Sequence, residues 1–190
     1  MLLYLLRNIK LFALALTRPK IDPLGTASLK LRVRLTDLDY NLHMNNSRYL
    51  ESMEMGRLDM MTRVGLIQAA AKNRLAPVIG ALQIVYRHQL KPFQAYTVTT
   101  KVLGWDEKWI YVEQDMISPG RIHATAVIKA AFLDKGKTML PRDVMALVGL
   151  QDLSPPVPPQ YIKLMNEGQT LKYEALKERH KERLAAGHRH

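Results

Sequence analysis

Residues 36–50 read Thr-Asp-Leu-Asp-Tyr-Asn-Leu-His-Met-Asn-Asn-Ser-Arg-Tyr-Leu, and the predicted fold is arranged around this stretch. Before it, residues 29–35 alternate apolar and polar side chains, which predicts a strand with one buried face over about residues 28–36. After it, apolar residues between 47 and 61 recur near helical spacing and predict a long helix. Polar side chains therefore lie where a strand passes into a helix, beside the unpaired N–H groups and the positive dipole end of that helix.

The remainder of the chain predicts four more strands and two short helices. The connections between the last three strands are short, so we expect antiparallel neighbours. A strand, a long helix and four further strands predict an α+β fold in which the long helix packs on a curved antiparallel β-sheet. The expected strands cover 78–85, 95–105, 108–117 and 121–133, and the expected short helices cover 66–75 and 144–150.

Composition divides the chain into one domain with two extensions. We expect the domain over residues 28–150, which is long enough to bury a sizeable core. Residues 1–27 predict an amphipathic segment followed by a linker that contains two prolines and a glycine. Residues 151–190 predict a proline-rich linker and then a charged C-terminal helix, helical over 160–184.

Three polar side chains of the central stretch are candidates for chemistry. If the chain is extended here, Asp39, Asn41 and His43 project to one side. A carboxylate can attack a carbonyl carbon or remove a proton from a water molecule that does so. The alternative is that these side chains only cap local turns, which is the main role expected for Asn45 and Asn46.

The motif Asp-x-Asn-x-His-x-Asn-Asn-x-x-Tyr resembles the signature of hot-dog-fold thioesterases, of the 4-hydroxybenzoyl-CoA thioesterase-like family. Its first half is also similar to the Asp-x-Asn-x-His motif of plant fatty acyl-ACP thioesterases. Residues 37–50, together with Leu-Gly-Trp-Asp at 103–106, are similar to the thioesterase superfamily member 6 proteins. The resemblance covers about residues 28–150 and implies a single hot-dog domain. The motif is carried by Asp39, Asn41, His43, Asn45, Asn46 and Tyr49.

The resemblance implies an acyl thioester hydrolase that cleaves acyl-CoA or acyl-ACP. It makes Asp39 the nucleophile or general base, with Asn41 and His43 positioning it, the water or the carbonyl. Backbone N–H groups at the start of the helix, around 45–47, are expected to stabilise the developing oxyanion. The expected substrate-binding residues are Asn45, Asn46, Tyr49, Arg87 and His88, the last two near the coenzyme phosphates.

Two other functions and two other bases stay open. The chain could be a non-catalytic acyl-binding or membrane-scaffold protein, which the complete Asp-Asn-His set disfavours, or a hot-dog hydratase, for which no paired His and acid is recognisable. Glu51 and Glu54 on the long helix are the alternative bases, although Glu54 is more simply an i,i+3 partner of Arg57. We expect no metal and no cofactor, because no further ligands accompany the two aspartates and the histidines are scattered.

Charge and cysteine content narrow the partners. The 190 residues contain no cysteine, which excludes a thiol nucleophile, and carry a net charge of +11. Basic surface can attract nucleic acid, anionic membrane or a phosphorylated ligand such as coenzyme A. We find no nucleic-acid-binding module and expect no nucleic-acid partner. One helix on one sheet leaves an open sheet edge, so we expect a homodimer or a dimer of dimers.

The N-terminal segment predicts an interfacial helix. Its apolar run is too short, and too interrupted by charge, to predict a membrane span or a signal peptide. We expect a cytoplasmic protein with peripheral attachment to the inner membrane surface; the alternative is a helix packed on the domain or a partner subunit. The predicted apolar side is Leu3, Leu6, Ile9, Phe12, Ala13 and Leu16, and the predicted basic residues are Arg7, Lys10, Arg18 and Lys20.

Overall fold

The computed structural model describes residues 2–150, 154–166 and 177–179, with side chains from residue 9 onward. All pairs in its six-stranded sheet are antiparallel, in the order β1-β3-β4-β5-β2, with β6 added to β5. The strands are β1 (Thr26–Arg32), β2 (Leu75–Tyr86), β3 (Ala95–Trp105), β4 (Ile110–Ser118), β5 (Arg121–Asp134) and β6 (Lys137–Thr138). The helices are α1 (Leu2–Thr17), α2 (Asn46–Arg63), α3 (Leu66–Lys72), α4 (Pro141–Ala146) and α5 (159–166), with a 3₁₀ turn at Leu35–Asp37.

The central helix α2 packs on the inner face of the sheet. Its buried positions include Met53, Met55 and Met60, which lie in the apolar core. Gly56 lets the helix approach β3 closely, because a Cβ there would lie 2.8 Å from Val98 Cγ1. The expected α+β fold, with a long helix packed on a curved antiparallel sheet, is confirmed. Gly65, which follows α2 in the left-handed conformation at φ 84°, marks the end of the helix.

The first strand ends four residues earlier than predicted. Val33 N–H still donates to the Gln94 carbonyl of the neighbouring segment (3.0 Å), but the chain then turns away from the sheet. The carboxylate of Asp37 accepts the N–H of Arg34 (2.9 Å), and this local cap replaces further strand pairing. The segment that carries the polar motif therefore starts from a turn and not from a continuous strand.

The outer face of the sheet is covered by residues 154–166, which we call the outer strap. Ser154 Oγ accepts the N–H of Trp105 (2.6 Å), and Tyr161 donates to Glu113 (2.8 Å). Gly104 is required at the first crossing, because a Cβ there would lie 2.3 Å from the Pro155 carbonyl oxygen. The predicted helix over 160–184 corresponds to α5 and to helical residues 177–179, and its other residues lie outside those described.

Helix α1 packs against α2 by one side only. Ala15 is buried, and Arg18 pairs with the buried Asp59 (2.6 Å). Ile9 and Leu16 are 56% and 54% exposed, so no described residue covers the opposite side of the helix. Arg18 is thus an anchor and not a free surface cation, contrary to the prediction, while the side chains of Leu3, Leu6 and Arg7 lie outside those described. Within the described ranges, no helix has the length and apolarity needed to cross a bilayer.

Candidate active site

Residues 39–43 form a tight turn closed by backbone hydrogen bonds. Asp39 N–H donates to the His43 carbonyl (2.9 Å), and Leu42 N–H donates to the Asp39 carbonyl (3.1 Å). Leu42 takes the left-handed conformation at φ 56°, and a single bridge joins Leu38 to Met44 at the base of the turn. The condition under which Asp39, Asn41 and His43 were expected to project to one side, an extended chain at 39–43, is therefore not met.

The physical reason is a local capping interaction made by the aspartate itself. Asp39 Oδ1 accepts the N–H of Asn41 at 2.8 Å and, at a longer 3.4 Å, the N–H of His43. Such an Asx turn offers the backbone an alternative to strand pairing. The three predicted catalytic side chains still line one cleft, because the turn, and not strand alternation, brings them together.

The two carboxylate oxygens of Asp39 have different surroundings. Both capping contacts use Oδ1, and no group among the described residues donates to Oδ2. Asp39 is half-buried and lines the cleft. The turn thus fixes the carboxylate through one oxygen and leaves the other available to a ligand or a water molecule.

The opposite wall of the cleft is the end of β2 and the residues that follow it. The carbonyl of His123 accepts the N–H groups of Arg87 (2.8 Å) and His88 (3.2 Å). The side chains of Arg87 and His88 are exposed at the mouth of the cleft. Strand β5 therefore holds the backbone of this wall and leaves the two basic side chains free to meet a ligand.

The buried imidazole of His123 reinforces the same wall. Its Nδ1–H donates to the His88 carbonyl (3.1 Å), because a carbonyl oxygen can only accept. Nε2 is then the acceptor, and it receives the hydroxyl of Ser118 (2.7 Å) and the amide of Gln94 (3.3 Å). Burial lowers the pKa of His123 and so favours the neutral ring that this arrangement requires.

Tyr49 joins α2 to the same wall. It is 3% exposed, and its hydroxyl accepts the N–H of the buried Leu90 (3.0 Å). Its ring packs edge-on against the ring of Tyr86. Burial, first of all, raises the pKa of Tyr49, so the hydroxyl stays protonated. Its ring lines the cleft while its hydroxyl is used by the backbone, which makes Tyr49 a positioning residue for the wall.

The first backbone amides of α2 are only partly available. Asn45 is the N-cap, and its side chain accepts the N–H of Ser47 (2.9 Å). The N–H of Asn45 itself donates to the Asp37 carbonyl (2.8 Å). Among the described residues, nothing accepts the N–H of Asn46. The prediction of donors around 45–47 is therefore reduced to one amide, that of Asn46.

The cleft has a volume of about 290 Å³ and gathers most of the predicted site residues. Asn45 does not line it; capping is its role, as the alternative interpretation held. Sequence reasoning did not select Tyr86 and Gln89, and the only signal for these two residues is their position at the end of a predicted strand. The lining residues are Asp39, Asn41, His43, Met44, Asn46, Tyr49, Tyr86, Arg87, His88 and Gln89.

The two alternative bases lie outside the cleft. The two carboxylate oxygens of Glu51 accept hydrogen bonds from the Arg48 guanidinium at 2.6 and 2.7 Å, and Glu54 is exposed on α2. Neither glutamate lines the cleft. In the part of the chain that the structure describes, no cluster of three or more His, Asp and Glu side chains has the arrangement to hold a metal ion.

The chain is similar to curated and solved proteins along its central part. It is 36% identical over 110 residues to Protein THEM6 of Danio rerio, an alignment that covers 58% of this chain and 54% of that protein. The chain thus spans about half the length of the curated relatives that it matches.

Two solved structures show the fold. A probable thioesterase of Escherichia coli, YbaW, is 24% identical with a TM-score of 0.58, over 64% of this chain and 98% of that one. A 4-hydroxybenzoyl-CoA thioesterase mutant bound to 4-hydroxybenzoyl-CoA is 12% identical with a TM-score of 0.58, over 65% of this chain and 99% of that one. The fold is thus the hot-dog fold. A family model described as the thioesterase-like superfamily matches residues 33–165, and the chain belongs to that superfamily.

Proposed function

We propose that this protein hydrolyses acyl thioesters, of coenzyme A or acyl carrier protein, with Asp39 as the nucleophile or general base. One observation carries the proposal: Asp39 is fixed through Oδ1 by its own turn, while Oδ2 has no donor among the described residues and Asp39 lines the cleft. Membership of the thioesterase-like superfamily supports the same reaction.

The chemistry can follow either of two balanced routes. In the first, Asp39 Oδ2 attacks the thioester carbon, the C–S bond breaks, the thiolate leaves, and water hydrolyses the resulting mixed anhydride. In the second, Asp39 takes a proton from a water molecule that attacks the carbon, and the proton passes to the departing thiolate. Both routes develop negative charge on the carbonyl oxygen, and both yield a free acid and a thiol.

The start of α2 is suited to stabilising that oxygen. The N–H of Asn46 has no acceptor among the described residues, and Asn46 lines the same cleft as Asp39. The positive end of the helix dipole adds to the effect of this amide. Asn41 and His43, which line the cleft beside Asp39, are the groups proposed to orient the carbonyl or the water.

The mouth of the cleft suits a phosphorylated carrier. Arg87 and His88 are exposed there, and a guanidinium is well matched to phosphate oxygens. Coenzyme A and the prosthetic arm of acyl carrier protein both carry phosphate, so this contact alone does not choose between them. We propose that Arg87 and His88 bind the carrier, and Asn46 and Tyr49 contact the acyl end.

We also propose that two copies pair through β2. This strand is an edge of the sheet, and its Ile79 and Val85 are 49% and 56% exposed. An edge strand with apolar side chains is a template for pairing with a second strand. Tyr86 belongs to both β2 and the cleft, so a second copy on this edge would lie next to the site. Sedimentation showing an active monomer would overturn this assembly.

A thiol-release assay tests the reaction. Acyl-CoA substrates of several chain lengths and one acyl-ACP are offered to the whole chain and to Asp39→Asn. We expect release of free thiol by the unaltered protein and a loss on the order of a thousandfold in the variant. Undiminished turnover by the variant would contradict the role of Asp39 and redirect attention to Glu51 or Glu54. No turnover of any thioester would favour a non-catalytic acyl-binding protein.

A further inference from the structure

A second cleft, which shares no lining residue with the cleft of Asp39, lies between α1 and β1. Its volume is about 670 Å³, and among the described residues four of its lining side chains are basic and none is acidic. Strand β1 exposes Lys30 and Arg32 on one face, because alternate residues of a strand point to the same side. We call this the basic cleft; its lining residues are Lys10, Leu11, Lys30, Leu31, Arg32, Arg34 and Ala95.

The cations of the basic cleft are spread along the strand. Lys30, Arg32 and Arg34 follow one another at every second position, and Arg34 is still extended at φ −105° and ψ 162°. At the rise of an extended chain, Lys30 and Arg34 are about 13 Å apart. A surface that carries many phosphate groups can contact every cation of such a row at once.

Exposed apolar side chains border the basic cleft. On α1, Ile9, Leu14 and Leu16 are 56%, 48% and 54% exposed. On the domain, Leu35 follows Arg34 directly and is 65% exposed. Phe93 is 57% exposed, and its carbonyl accepts the guanidinium of Arg32 (2.7 Å). These five side chains, which we call the apolar border, combine exposed apolar area with adjacent positive charge.

Helix α1 is held in place, so this surface is a preformed part of the domain. Arg18 pairs with the buried Asp59 (2.6 Å) and donates to the Ser28 carbonyl (2.8 Å). Arg63 of α2 donates to the Pro19 carbonyl (2.9 Å). Both ties lie at the C-terminal end of α1, next to the start of β1. The C-terminal end of α1 is therefore fixed to the domain beside the basic cleft.

We propose that the basic cleft and the apolar border bind the surface of a bilayer that contains anionic phospholipid. The charge is complementary to the lipid phosphates, and the apolar side chains match the acyl boundary beneath them. A nucleic acid would satisfy the cations but would leave the exposed leucine, isoleucine and phenylalanine in water. The proposed membrane-binding surface differs from the predicted one in its cations, because Lys30, Arg32 and Arg34 of the domain take the place of Arg18.

The surface adjoins the catalytic turn. Arg34 N–H donates to Asp37 (2.9 Å), and Asp37 lies two residues before Asp39. This adjacency would bring the cleft of Asp39 near long-chain thioesters dissolved in the membrane, a consequence that rests on the proposed hydrolase activity. The lipid contact itself requires no hydrolysis, so the two proposals can fail separately.

Vesicle flotation of the whole chain tests the proposal. We expect binding to phosphatidylcholine vesicles that contain phosphatidylglycerol, none to phosphatidylcholine alone, and loss of binding at high salt. The double variant Lys10→Glu and Lys30→Glu should bind at least about thirtyfold more weakly, from roughly 1 kcal/mol per basic residue. The matched control is Lys135→Glu and Lys137→Glu, which makes the same charge change at exposed positions of the β5–β6 hairpin. It should bind like the unaltered protein.

Four results would overturn the proposal. The first is equal weakening by both double variants, which would reduce the effect to net charge. The second is flotation that ignores lipid charge, or no flotation. The third is full displacement by excess inorganic phosphate at constant ionic strength, which would assign the cleft to a small phosphorylated ligand. The fourth is a second copy on this face: Leu14→Asp with Leu16→Asp would then change the sedimentation coefficient and leave vesicle binding unchanged. Melting curves and hydrolysis of a short-chain acyl-CoA verify that each variant is folded.

Discussion

Two aspartates of this chain begin similar turns near opposite ends of the strands. Asp39 accepts the N–H groups of Asn41 (2.8 Å) and His43 (3.4 Å) with one oxygen. Asp106 accepts the N–H groups of Lys108 (2.8 Å) and Trp109 (2.7 Å) in the same way. From the sequence, both are polar residues at the end of a strand. Local capping alone therefore does not distinguish the candidate catalytic aspartate from a structural one.

The second carboxylate oxygen distinguishes them. Asp106 Oδ2 accepts the hydroxyl of the fully buried Tyr111 (2.8 Å), whereas Asp39 Oδ2 has no donor among the described residues. Burial opposes ionisation of Asp106, but the two N–H groups and the tyrosine hydroxyl outweigh it and lower its pKa. Burial, and then donation to Asp106, raises the pKa of Tyr111. Both carboxylate oxygens of Asp106 therefore accept hydrogen bonds. Asp39 is fixed through Oδ1, and its Oδ2 has no donor among the described residues.

The largest expected effect on stability comes from Asp106→Ala. The substitution removes the acceptor of two backbone N–H groups and leaves the buried Tyr111 hydroxyl without its partner. We expect the free energy of unfolding to fall by about 2–3 kcal/mol, measured by urea denaturation. Hydrolysis by the folded fraction should be unchanged. A folded variant with strongly reduced turnover would break the comparison, because Asp106 would then act in catalysis.

Tyr49→Phe should have the next largest effect. It deletes the acceptor of the Leu90 N–H, and Leu90 is fully buried, so we expect a loss of about 1–2 kcal/mol in the free energy of unfolding. The wall of the cleft loses its hydrogen bond to α2, so turnover should also fall. The matched control is Tyr86→Phe, whose hydroxyl is at 3.3 Å from the Asn46 carbonyl and exposed. Equal effects of both substitutions would contradict the assigned role of Tyr49.

His123 predicts a pH dependence of stability. Its pKa in the folded protein is lowered from the ordinary value of 6.5, first of all by burial, so the unfolded chain binds the proton more readily. The contribution of His123 to the free energy of unfolding is therefore complete above about pH 6.5, and it is lost as the pH falls from there through the lower pKa of the folded protein. The slope of this loss is at most about 1.4 kcal/mol per pH unit. His123→Gln should flatten that part of the curve, and His88→Gln should not. An unchanged slope in His123→Gln would refute the assignment.

The smallest effect is expected from Ser154→Ala in the outer strap. It removes the acceptor of the Trp105 N–H, worth about 1 kcal/mol in the free energy of unfolding. Faster hydrogen exchange of the Trp105 amide would report the loosened strap. Turnover should not change, because the strap lies on the face of the sheet away from the cleft. A change in kcat would show that the two faces are coupled.

The fold could be predicted from the sequence because its signals are local and periodic. Strand β3 was predicted at 95–105, where the structure has it, since its alternation is bounded by turn residues at both ends. The end of β1 and the conformation of 39–43 could not be predicted, because capping by Asp37 and Asp39 competes there with strand pairing. Polar side chains that can bond their own backbone carry no periodic signal.

The candidate site could be predicted only in part, because its polar side chains carry no periodic signal. The motif selected five of the cleft's lining residues, and the predicted end of β2 added Arg87 and His88, but the extended chain that would have aligned Asp39, Asn41 and His43 is not formed. It did not select His123 as an organising residue. That role depends on the contact of β5 with the wall at 87–90, between residues far apart in sequence. Only the sheet order brings them together.

The most direct test of the account compares Asp39→Asn with Asp106→Asn under identical conditions. In both variants the amide oxygen can still cap the turn, so folding is largely kept and only the second oxygen is replaced. The measurement is kcat for one acyl-CoA, accompanied by the melting temperature of each variant. We predict a loss in kcat on the order of a thousandfold for Asp39→Asn with little change in melting temperature. For Asp106→Asn we predict unchanged kcat and a lower melting temperature. Similar kcat values in the two variants would contradict the account.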